Sequence, residues 1–597
     1  MTAPISNARS QKLTRTKSRI GNPRNGSSNP RGRIVPENAT EAIDSAQVRT
    51  NVLLVYPETP VTFWSMKHAV DFVGKRSSEP PLGLITVAAM LPEEWDRRLV
   101  DTNVTDLTDD DVRWADLVFL SGMDLHRSSF EQIAERCKRL GATVVGGGPF
   151  CTMHSEEIEH VDYFVLNEAE ITLPEFLGDY KAGHPRRVYA TDRYPELDAT
   201  PSPQWGLLDM QAYTTIDVQY SRGCPFDCEF CSITAMLGHK PRCKETTRFI
   251  AELESLYRHG WRGSVFVVDD NFIGNRRKLK EDLLPALTRW SAERKHPFSF
   301  TTEVSINLAD DEPLADAMLA AGFRMVFVGI ETPDEASLRE CGKVQNSGRD
   351  LIEAVKFLQR KGFDVSAGFI VGFDSDTPSV FDRQIAFIQE SGITTAMVGL
   401  LTAETGTRLY DRLEQEGRIK EVTSGNNTDG TLNFIPRLDP RTLLEGYRRI
   451  VHTIYSPKEY FRRVRTFLSE YRRPKIGPKS RDRRNMGALL KAFWRIGIVG
   501  SGRVHFWRLM FFVLGRCPAA FAEAIRMAIY GFHFRKVAQA LPVFSMATAS
   551  VADFHPLETA RVGAYARFTA AQPQPEGSTP MQARYSRDRS GVRRDRA

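Results

Sequence analysis

The chain has 597 residues, too many for one hydrophobic core, and its 41% hydrophobic and 26% charged residues exclude a collagen, a disordered scaffold or a membrane channel. The net charge of +6 sits at the ends: residues 1–36 hold eight Lys or Arg and no acid, residues 571–597 hold six Arg against three acids, and subtracting 8 and 3 leaves the body at −5. A mildly acidic body removes the basis for a nucleic-acid reading drawn from the pI, so no specific nucleic acid is expected, and eight cysteines are too few for a disulfide scaffold.

In chain order, residues 1–48 are rich in Ser, Asn, Arg and Pro and read as a disordered basic tail. The segment 49–195 alternates apolar runs with helical stretches. Candidate strands are Asn51–Tyr56, Arg98–Asp101, Leu117–Ser121, Thr143–Gly147 and Tyr163–Leu166, with helices such as Pro81–Leu91 and Ser128–Leu140 between them. Short apolar strands separated by helices predict an α/β, doubly wound (Rossmann-like) parallel sheet, whose ligands sit at the carboxyl ends of the strands. After a linker with Pro195, Pro201 and Pro203, residues 205–405 repeat the pattern six times. The strands there are Ile216–Ser221, Ser264–Val268, Phe298–Glu303, Met325–Ile330, Val365–Val371 and Ala396–Leu401, with helices at Thr247–His259, Leu279–Arg289 and Arg349–Lys361. Six strand–helix repeats predict a partial or full TIM-like barrel with its site at the strand C-termini. The segment 406–553 reads as a mainly helical domain, with helices at Leu443–Val451 and Glu459–Ser469 and an aromatic, basic stretch over 486–540. Residues 554–597 return to a disordered tail.

The chemistry concentrates in Arg222-Gly223-Cys224-Pro225-Phe226-Asp227-Cys228-Glu229-Phe230-Cys231, spaced C-x3-C-x2-C in the loop after the first barrel strand. Thiolates hold iron–sulfur clusters, and three thiolates for four irons leave one iron open. A structural zinc with Cys243 as fourth ligand is the competing reading, but zinc sites usually pair two knuckles and only one is present. Cys243 and Cys341 read as packing residues. Three clustered thiols among otherwise scattered cysteines, with no apolar leader and no run of 18 apolar residues, predict a reduced, cytoplasmic protein without a spanning helix.

The cysteine segment closely resembles the radical S-adenosylmethionine (SAM) family. The resemblance implies a 4Fe–4S cluster on Cys224, Cys228 and Cys231, SAM chelated by the open iron, and Phe230 beside the adenine. Further positions follow the family's looser motifs. Asp269, in Asp269-Asp270-Asn271-Phe272, stands where the family often has a Gly-Gly-Glu that grips the SAM amino group. Glu303, Glu331 in Gly329-Ile330-Glu331, and Gly372 in Gly368-Phe369-Ile370-Val371-Gly372 resemble positions around SAM.

A doubly wound domain ahead of such a barrel resembles the cobalamin-binding subclass. Ser121-Gly122-Met123 stands for the Ser-x-Leu after the third strand, and Gly146-Gly147-Gly148 for the Gly-Gly pair after the fourth. Glu168, in Asn167-Glu168-Ala169-Glu170, stands for the loop after the fifth. No D-x-H-x-x-G follows Tyr56-Pro57, the nearest histidine being His68; His126 follows the wrong strand and reads as a surface or second-shell residue. Cobalamin is therefore expected without a histidine below cobalt. The C-terminal segment, including Tyr530-Gly531-Phe532-His533-Phe534-Arg535-Lys536, is similar to the extra domain of a subgroup that includes hopanoid C-2 methylases.

What the resemblance implies is methylation of an unactivated carbon. SAM is cleaved to a 5′-deoxyadenosyl radical, hydrogen is abstracted from the substrate, and a methyl group passes from methylcobalamin. No residue acts as nucleophile or general base. The substrate is a small molecule or a lipid, and an external low-potential donor of the flavodoxin or ferredoxin type supplies electrons. Two alternatives stay open: a cobalamin-dependent radical SAM cyclase or oxidase, and a non-enzymatic iron–sulfur or cobalamin sensor. The aromatic, basic stretch 493–535 allows a peripheral membrane contact, with packed domain core as the other reading.

Overall fold

The run NVLLVY at Asn51–Tyr56 buries its four central residues completely, which only a strand covered on both faces can do. Leu53 and Val55 pack on one side with Phe130, Cys137 and Phe150; Val52 and Leu54 pack on the other with Leu84, Leu173 and Phe176. That period-two split fixes helices on both faces of the first sheet. The computed structural model describes residues 50–420, 423–426, 428–474 and 483–542. The tails expected to be disordered, 1–48 and 554–597, lie outside the described residues.

The first sheet has strands β1 (Asn51–Tyr56), β2 (Asp96–Asp101), β3 (Leu117–Ser121), β4 (Thr143–Gly147), β5 (Tyr163–Val165) and β6 (Val188–Tyr189), ordered β2-β1-β3-β4-β5-β6 and parallel throughout. The chain order reverses between β1 and β3, the switch point where doubly wound sheets open a crevice. Strand β2 starts two residues before the predicted Arg98, and β5 stops one residue before Leu166. The two-residue β6 is too short to leave a sequence pattern.

The next strands are β7 (Thr215–Val218), β8 (Ser221–Arg222), β9 (Arg242–Cys243), β10 (Gly263–Val267), β11 (Phe298–Val304), β12 (Phe323–Glu331), β13 (Asp364–Val371) and β14 (Ala396–Leu400). Six of them form a parallel sheet ordered β14-β13-β12-β11-β10-β7, whose two edges do not pair with each other; the barrel is therefore partial. The predicted strand Ile216–Ser221 ends early, at Val218. Buried Asp269 accepts hydrogen bonds from the Tyr220 amide at 2.8 Å and the Ser221 hydroxyl at 2.5 Å, which turns the chain into the antiparallel pair β8–β9.

The helical region opens with Pro440–Ile454 and Pro457–Glu470. Asp439 and Ser456 cap them, and proline takes the first helical position of each, where no amide donor is needed. Both lie against the helix Val380–Ser391; Gly446 is required there because a Cβ would enter the Phe381 ring. Helices at Arg483–Ala492, Arg503–Arg516 and Phe521–Ala540 follow, the first continuing through a π-helical turn at Phe493–Ile498. The last returns to the first domain: His533 accepts from the His68 amide at Nδ1 and donates from Nε2 to the Thr62 and Phe63 carbonyls. No helix of the described residues is long and apolar enough to cross a membrane.

Candidate active site

The carboxyl ends of the two sheets face each other. From the first sheet, Glu168 meets Arg222 at 2.5 Å and Arg242 at 2.7 Å, and Glu170 meets Arg222 at 2.9 Å, all with little exposure. Asp124, in the loop after β3, hydrogen-bonds to Glu404 beyond β14. Between these clasps the facing strand ends line a chamber. Glu79 and Glu303 border open volume yet are surrounded by protein. Burial pushes Glu303 up to about 8, with the Asp270 charge adding to it, and burial pushes Glu79 up to about 7. Asp217 on β7 is driven well above the usual carboxylate range by burial and by Glu79. Surrounding protein thus favours the neutral form of Glu303 and Asp217. The chamber's apolar wall includes Trp64, in the loop after β1, against Phe327 on β12, with ring centroids 4.8 Å apart.

The cysteine loop sits at the barrel end of the chamber. Gly223 has φ 91°, and a Cβ there would come within 3.0 Å of three carbonyl oxygens, so only glycine makes this turn. The loop is then braced from outside. Glu229 pairs with Arg412 at 2.7 Å, its amide donates to the Cys341 carbonyl at 2.9 Å, and Arg408 donates to the Asp227 carbonyl at 2.6 Å. All three thiols are free. Asn271 and Gln345 direct amide donors at Cys224 Sγ (4.0 Å) and Cys228 Sγ (3.9 Å), the kind of contact that tunes a cluster's sulfurs. Partly buried Lys343 adds a positive charge beside Cys228 and Cys231. Among the described residues no group of three or more His, Cys, Asp or Glu side chains is arranged to hold a single metal ion, as a closed zinc site would require. Three free thiols with donors aimed at two of them fit a multi-iron cluster.

The other barrel residues singled out by sequence fall in two groups. Glu303 faces the chamber. Glu331 borders it but is taken by Lys343 at 2.6 Å; it adopts φ 61° at a β-bulge, and a Cβ at Gly329 would collide with its carboxylate. Asp269 is fully buried and holds the start of the cysteine loop rather than pointing into the chamber. Gly372, at φ 114°, donates its amide to Asp376 at 2.8 Å, and Phe230 packs 6.1 Å from Phe373.

At the opposite edge, Ser121 and Gly147 are paired in register at the ends of β3 and β4. Gly148 has φ 83°, and a Cβ there would strike the Ser121 hydroxyl; one at Gly147 would lie 3.0 Å from the Val165 carbonyl, and one at Gly146 would press on Val161 and Cys151. The close approach of these strand ends needs the glycines. Met123 is left exposed on this edge, an apolar side chain facing open space. These features fit a flat cofactor laid against the sheet edge. Of the two readings of His126, surface or second-shell, the structure removes the first: it is buried. Its Nδ1 accepts from the Met123 amide at 3.0 Å, its Nε2 donates to Thr59 at 3.1 Å, and burial lowers its pKa to about 4. Both ring nitrogens are used, so His126 has none free to bind a metal. His68 packs on His533, ring centroids 5.6 Å apart.

Sequence reasoning missed Lys343, Gln345, Glu79, Asp217 and the Trp64–Phe327 pair, which no spacing marks. Asn271 stood inside a quoted motif and could have been found there. The arginine partners of Glu168 were also unread: its carboxylate serves as the clasp between the two sheets, and nothing in Asn167-Glu168-Ala169-Glu170 names Arg242.

Comparison with known proteins gives three family matches in chain order: a B12 binding domain over residues 76–177, the Radical SAM superfamily over 218–388, and a domain of unknown function (DUF4070) over 407–542. An uncharacterised methyltransferase of Synechocystis sp. is 40% identical over 493 residues, covering 81% of this chain and 91% of its own. The hopanoid C-2 methylase of Rhodopseudomonas palustris is 31% identical over 477 residues, covering 78% and 89%. Among solved structures, the radical SAM methyltransferase TsrM from Kitasatospora setae, with cobalamin and a [4Fe-4S] cluster bound, superimposes with a TM-score of 0.53 at 15% identity, covering 79% of this chain and all of that one. At that identity the likeness speaks for the fold.

Proposed function

Because the chain belongs to the cobalamin-binding radical SAM enzymes, with relatives at 40% and 31% identity over most of both lengths, we propose that it methylates an unactivated carbon of a lipid. The observation that carries this reading is the pair of facing strand edges: free thiols with amide donors at one end, and the Ser121–Gly147 edge with exposed Met123 at the other. The cofactors of the family are a 4Fe–4S cluster, SAM and cobalamin. When bound, they supply reductive cleavage of SAM, hydrogen-atom abstraction and a transferable methyl group.

In this reading Cys224, Cys228 and Cys231 hold the cluster, and Asn271 and Gln345 orient two of the sulfurs. Phe230, Glu303, Glu331 and Gly372 border the SAM position, and Asp269 supports it by fixing the Tyr220–Ser221 turn. Ser121, Met123, Gly146 and Gly147 border cobalamin, and Glu168 holds that edge against the barrel. The working divisions are 49–195, 205–405 and 406–553. The chain's own contribution is alignment and exclusion of water; no side chain has to give or take a proton during methyl transfer. Trp64 and Phe327 offer an apolar wall to a lipid, a substrate class in keeping with the hopanoid methylase relative. An external low-potential donor supplies electrons, and a lipid substrate places the enzyme, otherwise cytoplasmic, at a membrane periphery.

The test is anaerobic. Protein reconstituted with iron, sulfide and cobalamin is given SAM and a low-potential reductant, and 5′-deoxyadenosine is quantified. Formation that disappears with Cys228→Ala is the expected result. An intact cluster that yields none, even with bacterial lipid added, returns the chain to the sensor reading.

A further inference from the structure

Helices on a protein surface ordinarily turn polar side chains outward. The two helical segments between Arg483 and Arg516 do not. Nine of the fifteen large hydrophobic side chains exposed among the described residues lie between Met486 and Leu514, a concentration that makes a patch rather than scatter. Packing does not account for it, because each segment already has a buried side: Ala488, Ala492 and Ile496 in the first, Phe506, Leu509 and Val513 in the second. The segments fold on each other through Phe493 stacked on Trp507 at 5.5 Å and the Trp507 indole donating to the Gly497 carbonyl at 2.9 Å. On the outer side Leu490, Trp494 and Ile498 recur every fourth residue, Leu490 at 64% and Trp494 at 61% exposure. Val504, Trp507, Phe511 and Leu514 recur every third or fourth, Phe511 at 70%.

Charge says what covers this face. Residues 483–522 contain no Asp or Glu and seven Lys or Arg. Exposed Arg503, Arg508 and Arg516 form no ion pair among the described residues. An apolar stripe with indoles, edged by Arg503, Arg508 and Arg516 on one side and by Lys491 and Arg495, which share the acid Asp71, on the other, complements a surface that is apolar inside and anionic at its rim, which is a bilayer carrying acidic headgroups. A protein partner would have to supply only acid around a flat hydrophobic face.

The patch is also fastened to the segment that follows β1. Lys491 donates to the Asp71 carbonyl at 2.6 Å, Arg495 pairs with Asp71 at 2.5 Å, and its guanidinium lies 5.2 Å from the Phe72 ring centre. Seven residues before Asp71 stands Trp64, packed on Phe327 in the half barrel.

We propose that the helical pair Arg483–Arg516 docks the protein onto an anionic lipid bilayer, lying in the interface with Trp494 and Phe511 at the acyl-chain boundary and Arg503 and Arg508 among the headgroups. This rests on the lipid-substrate reading for its purpose and names the surface where that substrate is met. The test reads binding, not turnover, so the two can fail separately.

The full chain is sedimented with phosphatidylcholine vesicles with and without phosphatidylglycerol, at low and high salt. Binding is expected with phosphatidylglycerol, weakened by salt, with the tryptophan emission shifted to the blue. The double variant Trp494→Glu/Phe511→Glu, which changes only exposed side chains, should bind about tenfold less or worse while keeping its melting temperature. Arg503→Glu/Arg508→Glu, which leaves the apolar face intact, should lose the salt-sensitive part. Absence of binding to phosphatidylglycerol vesicles, or equal binding by the double variant, overturns the proposal. So does a stable dimer, dissolved by Trp494→Glu/Phe511→Glu, that does not bind vesicles, since a second copy would then cover the face.

Discussion

Glu404 and Asp124 meet where the loops of the first sheet touch the end of the half barrel. Burial raises the Glu404 carboxyl to about 8, helped by its hydrogen bond to Asp124 and that group's charge; Asp124, though buried, is pulled below its ordinary value by His154. The fold thus keeps on Glu404 a proton that the unfolded chain gives up near pH 4.5. Stability from this group is complete below that pH and is lost as pH climbs toward about 8. The depressed Asp124 contributes in the opposite sense, but only below its unfolded value of 3.8. Glu404→Gln keeps a donor toward Asp124 and has no proton to lose. The difference in melting temperature between variant and wild type should therefore move in the variant's favour from about pH 5 to about pH 9. Parallel curves would show that the pair does not share a proton in the fold. Residue identities at the site were legible to different depths. The three cysteines announce themselves because one loop carries all of them. Asn271 and Gln345 reach the sulfurs from 47 and 117 residues away in sequence, a distance that only the barrel closes.

Strands β8 and β9 hold two arginines, and those arginines join the sheets. Arg222 and Arg242 converge on Glu168, and Arg222 also takes Glu170, with every partner at most 14% exposed. A buried network of this kind costs much to assemble and more to break. Arg222→Ala leaves two carboxylates buried with reduced pairing, and the apoprotein should lose about 3–5 kcal/mol in urea unfolding. A loss under about 1 kcal/mol would mean that water already shares these charges. Most strands could be read from their apolar runs to within a residue or two, because a strand covered on both faces must be apolar throughout. The first barrel strand was misread at its end for a nonlocal reason: Asp269, arriving from the next strand, captures the Tyr220 amide and the Ser221 hydroxyl.

Across the whole molecule, a doubly wound domain, a half barrel and a helical region follow one another in the chain, and the strand ends of the first two meet through Glu168, Arg222 and Arg242. The helical region is fastened to the first domain by His533, which donates to the carbonyls of the Thr62–Phe63 turn and accepts from the His68 amide. Its helices were visible in the sequence, but their attachment was not, since each of these bonds joins segments far apart in the chain. The central claim is methyl transfer to a lipid carbon. It is tested most directly with SAM carrying a trideuterated methyl group, incubated anaerobically with the reconstituted enzyme, reductant and bacterial lipid extract, followed by mass spectrometry of the lipids. The account predicts a lipid that carries the intact trideuteromethyl group, formed together with 5′-deoxyadenosine and absent with Cys228→Ala. Deoxyadenosine released while every lipid remains unlabelled would contradict it and leave radical chemistry without methyl transfer as the function.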